Sequence, residues 1–228
     1  SQTDVNVVNN MVTMRSLYNT ATYYYYNGVL NRISALAVPK NNIHYKVSGI
    51  DNAVDMCNIL AACLKEDSVR TSILDKYKGV TNESEYDTLI QAEVNDNFFT
   101  VTVIGQNKDM CLEMTSIVEA AIQKKYDEVM SVYSGVTLTK LNEYYENSMD
   151  SDILEAQKLK KSIFERSYND YKTALSRLTS IQKQEYERRI SGTTADSTDS
   201  DTSVEKSSFK QYVKNYMTKK WLLISLLA

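Results

Sequence analysis

The chain has 228 residues, is 43% hydrophobic and 24% charged, and carries a net charge of −3; that length can bury one or two cores. The acidic balance argues against a nucleic-acid partner, because a phosphate-binding surface needs a clear basic excess. One proline and six glycines disfavour a loop-rich β-sandwich, and seventeen tyrosines against four phenylalanines point to surfaces that bury a ring and keep a polar tip wet.

Residues 1–42 carry no decisive period. Val5, Val8, Met11, Val12 and Leu17 fit a helix loosely, whereas Tyr23-Tyr-Tyr-Tyr26 looks more like strand. From 43 to 145 the layout of an α+β base domain is clear. Ile43–Ser48 alternates as a half-buried strand does. Gly49 follows, with Asp51 as a helix N-cap candidate. Ala53, Met56, Cys57, Leu60, Cys63 and Leu64 recur at helical spacing. A further helical stretch runs from Asp67-Ser68 to Tyr77, with Gly79 placed to end it. Leu89–Val94, the turn Asn95-Asp96-Asn97 and Phe98–Ile104 read as a hairpin. A helix opens after Gly105 and Asn107, striped by Cys111, Met114, Ile117, Val118, Ala121 and Ile122, and Gly135–Thr139 reads as a short last strand.

The order β-α-β-β-α-β contains a faint repeat. Val47-Ser-Gly49 before Asp55-Met-Cys57 echoes Val103-Ile-Gly105 before Asp109-Met-Cys111. Two such halves predict a ferredoxin-like split βαβ base. Over 146–190 the pattern becomes a long helical, coiled-coil extension. Phe164, Tyr168, Tyr171, Leu175 and Leu178 step by four and three as a seam, which requires a facing helix from this chain or another copy. Residues 191–208 read as a flexible Ser/Thr/Asp linker. Residues 209–228 read as a juxtamembrane helix and the start of a transmembrane segment. There Lys219, Lys220 and Trp221 precede an unbroken apolar run, as at a membrane interface. The chain therefore reads as the extracytoplasmic segment of a membrane protein.

Catalytic and metal signatures are missing from the sequence. His44, the single histidine, sits in a strand, and the cysteines lack any C-x-x-C pair. No phosphate loop or nucleophile elbow occurs, so the expectation is no enzyme, no cofactor, and neither catalytic nor metal residues. Antiparallel base helices would bring Cys63, late in the first, near Cys111, early in the second. Those two form the candidate disulfide, with Cys57 left free.

Several of these pieces resemble the ectodomain of chain-length determinant proteins, the polysaccharide co-polymerases of bacterial envelopes. They are Leu64–Leu74, Phe99–Ile104 followed by Lys108-Asp-Met-Cys111, the Asp152–Ile190 stretch and Lys219-Lys-Trp-Leu-Leu-Ile224. The likeness spans Ile43 to Ala228. It implies a homo-oligomer at the outer face of the cell membrane. There it would act without catalysis on a polysaccharide polymerase or nascent glycan to regulate chain length. Two departures stand out: no proline follows Pro39, where the family carries a proline-rich stretch, and the Val136–Thr139 strand precedes the helical extension. The alternatives are a structural subunit of another envelope machine and a ligand-sensing ectodomain.

Overall fold

The computed structural model describes residues 2–193. It is an α+β protein with one four-stranded antiparallel sheet. The described residues form two compact units: 27–157, and 2–26 together with 158–193.

In the first unit, β1 (Val38–Ser48) is followed by α2 (Ala53–Ala62), a 3₁₀ turn at Cys63–Lys65, and α3 (Asp67–Lys76). A short α4 (Tyr86–Leu89) leads into the hairpin β2 (Ile90–Asn95) and β3 (Phe98–Ile104). Then come α5 (Lys108–Met130) and β4 (Thr137–Ser148). The sheet order is β2-β3-β1-β4, with every pair antiparallel. Strand alternation explains the core. Ile43, Tyr45 and Val47 of β1 and Phe99, Val101 and Val103 of β3 lie in one cluster with Met56, Leu60, Met114, Val118 and Ile122 from the helices. The intervening β1 residues take the other face, where Asn42 Oδ1 accepts from Thr102 at 2.8 Å and the His44 ring stacks on Tyr144.

The expected base of 43–145 is too short at both ends, since the strands run from Val38 to Ser148. β4 in particular reaches well past Thr139. Its outer length was hidden because it is an edge strand with charges on its inner face. Lys140 and Glu143 project toward α5 rather than into an apolar core, and a register shift opposite His44/Tyr45 breaks the alternation. The turn that enters β4 is tight. Gly49 (φ +81°) follows β1, and a Cβ on it would lie 2.0 Å from the Gly135 carbonyl oxygen, so both the space and the backbone require glycine there.

In the second unit the N-terminal segment is helical throughout: α1 spans Gln2–Tyr26. The strand expected at Tyr23–Tyr26 is therefore helix. Tertiary packing overrides the weak strand preference of tyrosine, with Ala21 and Tyr24 buried against Ile163. The extension over 146–190 is two helices, α6 (Ser151–Ser176) and α7 (Ser180–Thr193). The break between them has a sequence signature that the heptad reading passes over. Thr179 N donates to Gln182 Oε1 at 3.0 Å while Gln182 N donates to Thr179 Oγ1 at 3.3 Å, a reciprocal capping box. The linker (191–208) and membrane-entry (209–228) readings lie almost wholly outside the described residues, Lys219, Lys220 and Trp221 among them. No described helix is long and apolar enough to cross a membrane.

Entry into the sheet unit is held by a buried carboxylate. Glu85, fully buried, accepts from the backbone N–H of Val29 at 2.8 Å and of Leu30 at 3.3 Å. These are the orphan donors of the 3₁₀ turn Val29–Asn31. Gly28 (φ +140°) makes room for it, because a Cβ there would meet the carboxylate at 2.2 Å. Glu85→Ala leaves both amides without that acceptor and is expected to lower unfolding free energy by roughly 2–3 kcal/mol. Gly28→Ala destabilises by collision and strain, and the double variant loses less than the sum of the two. Urea melts of the four proteins measure the coupling.

Asp150 makes the corresponding entry to α6. Its carboxylate accepts from Asp152 N and Ile153 N and pairs with Lys40 at 2.6 Å. Burial pushes its pKa up, but Lys40 and the helix amides outweigh burial and hold it below the usual aspartate value. A depressed carboxyl stabilises fully above its unfolded pKa of about 3.9 and loses that contribution as pH falls through the folded value. Asp150→Asn is expected to flatten the acid limb of a stability–pH curve while lowering stability at neutral pH.

Candidate functional site

The predicted seam residues meet their partners inside this chain. Tyr18 of α1 stacks on Tyr171 of α6 with centroids 5.4 Å apart and 7° between planes, and also contacts Tyr168 at 5.6 Å. Tyr25 stacks on Phe164 at 4.7 Å and 7°, with Tyr26 edge-on at 5.6 Å. Leu175 and Leu178 pack with Val12 and Tyr171 against Val8, Met11 and Tyr186. The Tyr171 and Tyr186 hydroxyls are 3.0 Å apart. Both α1 and α7 thus cover the seam, so an unpartnered stripe no longer argues for a second copy. Polar pairs tie the same helices, with Gln182 Nε2 donating to Asp4 Oδ1 at 2.7 Å and Arg189 to Asn9.

The covering is incomplete at the surface. Tyr26 is 62% exposed, Tyr23 50% and Tyr168 41%. Lys172 Nζ lies 5.8 Å from the Tyr168 ring centroid, a cation–π arrangement. Half-wet rings are what a tyrosine-for-phenylalanine preference produces: the face packs and the hydroxyl keeps its water.

A second group lies between α5 and β4. Lys140 Nζ donates to Glu119 Oε1 at 2.5 Å and to Glu143 Oε2 at 2.6 Å. Glu143 Oε1 also accepts from Asn41 Nδ2 at 2.7 Å, and that nitrogen reaches Thr115 Oγ1 at 2.9 Å. Tyr45 OH approaches Glu119 at 3.4 Å. Lys140 and Asn41 hold the Glu143 carboxyl below its usual pKa, and the two glutamates raise that of Lys140. Burial, then the charge of Glu119, pushes the Tyr45 phenol up. All three groups therefore keep their ordinary charge at neutral pH. That is the reverse of a general acid, which needs a carboxyl with a raised pKa. Sequence reasoning missed this group, because its members come from three elements and only Tyr45 and Lys140 are direct neighbours across strands.

The three cysteines are buried free thiols, so the Cys63–Cys111 bridge is not formed. Cys63 sits at the joint between α2 and α3, close enough to Glu66, Lys125 and Glu128 to feel their charges. Cys111 lies in the first turn of α5, its Sγ donating to Pro39 O at 3.3 Å. Positions 111 and 125 are about 21 Å apart along a helix axis. It is α3 that completes the descent, bringing Tyr77 OH to Glu113 at 2.7 Å. His44 is accounted for by Thr100, whose hydroxyl lies 2.9 Å from Nδ1, and by Tyr144. Among the described residues no group of three His, Cys, Asp or Glu side chains is placed to hold a metal ion.

No protein-family model matches the chain, and no curated protein matches it in sequence.

Burial pushes the Cys63 and Cys111 thiols up to about 11, and raises that of Cys57. Thiolate is the reactive form. Iodoacetamide at pH 8 is therefore expected to leave the native protein largely unmodified and to add three groups in denaturant without reductant, as read by intact mass.

Proposed function

We propose that the chain is a non-enzymatic, extracytoplasmic part of a membrane protein that self-associates and regulates chain length in polysaccharide biosynthesis. The observation that carries this reading is the exposed tyrosine strip on the helical unit. Tyr26 and Tyr168 leave rings in water beside a packed aromatic ladder. Exposed aromatic clusters of this kind serve contact with another macromolecule. The base supports the same reading. Its order β2-β3-β1-β4, with α2 after β1 and α5 after β3, fits a ferredoxin-like split βαβ unit, the base that the co-polymerase resemblance implies. The non-enzyme part rests on the ion-pair group between α5 and β4, where Lys140 and Asn41 hold the Glu143 carboxyl below its usual pKa.

A ligand-sensing ectodomain would be favoured by an enclosed apolar pocket. The depression beside Lys140 is open to solvent rather than enclosed.

Tyr26→Glu and Tyr168→Glu, made together in the full-length protein, place charge on exposed rings and should change folding stability by less than about 1 kcal/mol. Expected results are smaller assemblies by mass photometry in detergent and an altered polysaccharide length distribution in cells. Unchanged assemblies and unchanged lengths at normal protein levels would overturn the proposal.

A further inference from the structure

We propose that the depression between α5 and β4 is a subsite for a neutral sugar ring. This deepens the reading above and rests on it for the choice of a polysaccharide unit over a free polyol. The depression has a volume of about 410 Å³ and is lined by Tyr45, Glu119, Gln123, Leu138 and Lys140, among others. That size lies at the small end of ligand sites, about 300–1,000 Å³. Its charged side chains are reachable: Lys140 is 39% exposed and Glu119 31%.

The chemistry narrows the ligand. Glu119 and Glu143 against one Lys140 leave a net negative charge, which disfavours phosphate and carboxylate ligands. The ammonium already occupies the place between the two carboxylates that a divalent cation would take. Tyr45, the one ring in the lining, is buried and stacked on Phe99 at 4.8 Å, so it offers no aromatic platform. What remains is a fixed set of hydrogen-bonding groups. The Glu119 carboxylate accepts, the Lys140 ammonium donates, and the Gln123 amide, now donating to Asp127 at 2.8 Å, can do both. Sugar hydroxyls donate and accept at once, and vicinal pairs match such a carboxylate–ammonium pair with charge-assisted bonds. Exposed Ala120 and half-buried Leu138 give the C–H face of a ring an apolar margin.

The test is saturation-transfer and ¹⁵N-correlation NMR on the whole chain. Cellobiose and diacetylchitobiose serve as neutral probes and glucuronic acid as the anionic control. The neutral probes are expected to bind in the millimolar range and to shift amides around 119–123 and 137–140, and glucuronic acid to bind far less. Glu119→Gln and Lys140→Met should each weaken binding about tenfold, the size of one lost hydrogen bond to a charged group. Gln123→Ala, at an exposed position, should weaken it several-fold and guards against a folding defect in the other two. No binding of either neutral probe, shifts confined to other regions, or unchanged affinity in all three variants would overturn the subsite. That outcome leaves the assembly and length tests of the tyrosine strip standing. Failure of those tests with saccharide binding intact would instead sink the chain-length reading and keep the subsite.

Discussion

β1 is the strand on which the rest of the sheet unit hangs. It is paired along its length on both sides, to β3 from Lys40 to Lys46 and to β4 from Val38 to Ser48. A strand in that position must satisfy every backbone donor and acceptor through neighbours that arrive much later in the chain. Its side chains then place the other elements. Asn41 and Tyr45 reach Thr115 and Glu119 on α5, Pro39 O accepts from Cys111, and Lys40 fixes the start of α6 through Asp150. Ile43, Tyr45 and Val47 supply the buried face against which α2 and α5 close. Pairings between residues as distant as 40 and 146 carry a closure entropy that local helices do not, so β4 docking is a late, non-local step in folding.

Edge design follows from the same strand. β4 is twelve residues long and lies at the border of the sheet. Long bare edges invite pairing with other chains. Here the edge is blunted by an irregularity at Leu141 and by the inward charges Lys140 and Glu143. Edge-to-edge sheet extension is thereby disfavoured as a mode of self-association. The helical unit offers the better contact surface, because its tyrosines are already ordered by stacking and lose little freedom on meeting a partner.

Much of this was legible in the sequence, and the reasons are physical. The β1, β2 and β3 segments, the α2 stripe, the α3 start at Asp67 and the Asn107 cap of α5 all come from local patterning, with Asn107 Oδ1 accepting from Met110 N at 2.9 Å. The stripe Phe164, Tyr168, Tyr171, Leu175 and Leu178 was legible from its spacing. Whether its facing helix came from this chain or another copy stayed open, since α1 has almost no amphipathic contrast of its own: its tyrosines and threonines look the same on a wet and a packed face. β4 was read too short for the opposite reason, its inner face being ionic rather than apolar. The cysteine pairing failed because Cys63 lies beside Lys125 and Glu128, late in α5, while Cys111 sits in that helix's first turn. Glu85 carries no sequence signal as a buried cap, because its partners at Val29 and Leu30 are backbone amides far away in the chain.

Under the proposed function the chain acts by contact, its three thiols are buried, and its output is the length of a polymer made by other proteins. The most direct measurement is the size distribution of the surface polysaccharide in cells lacking the protein and in cells with it restored. If the chain regulates polymer length, deletion leaves sugar polymer being made but abolishes its preferred length, which returns on restoration. Complete loss of polymer would point to a catalytic step instead, and an unchanged size distribution would contradict the assignment.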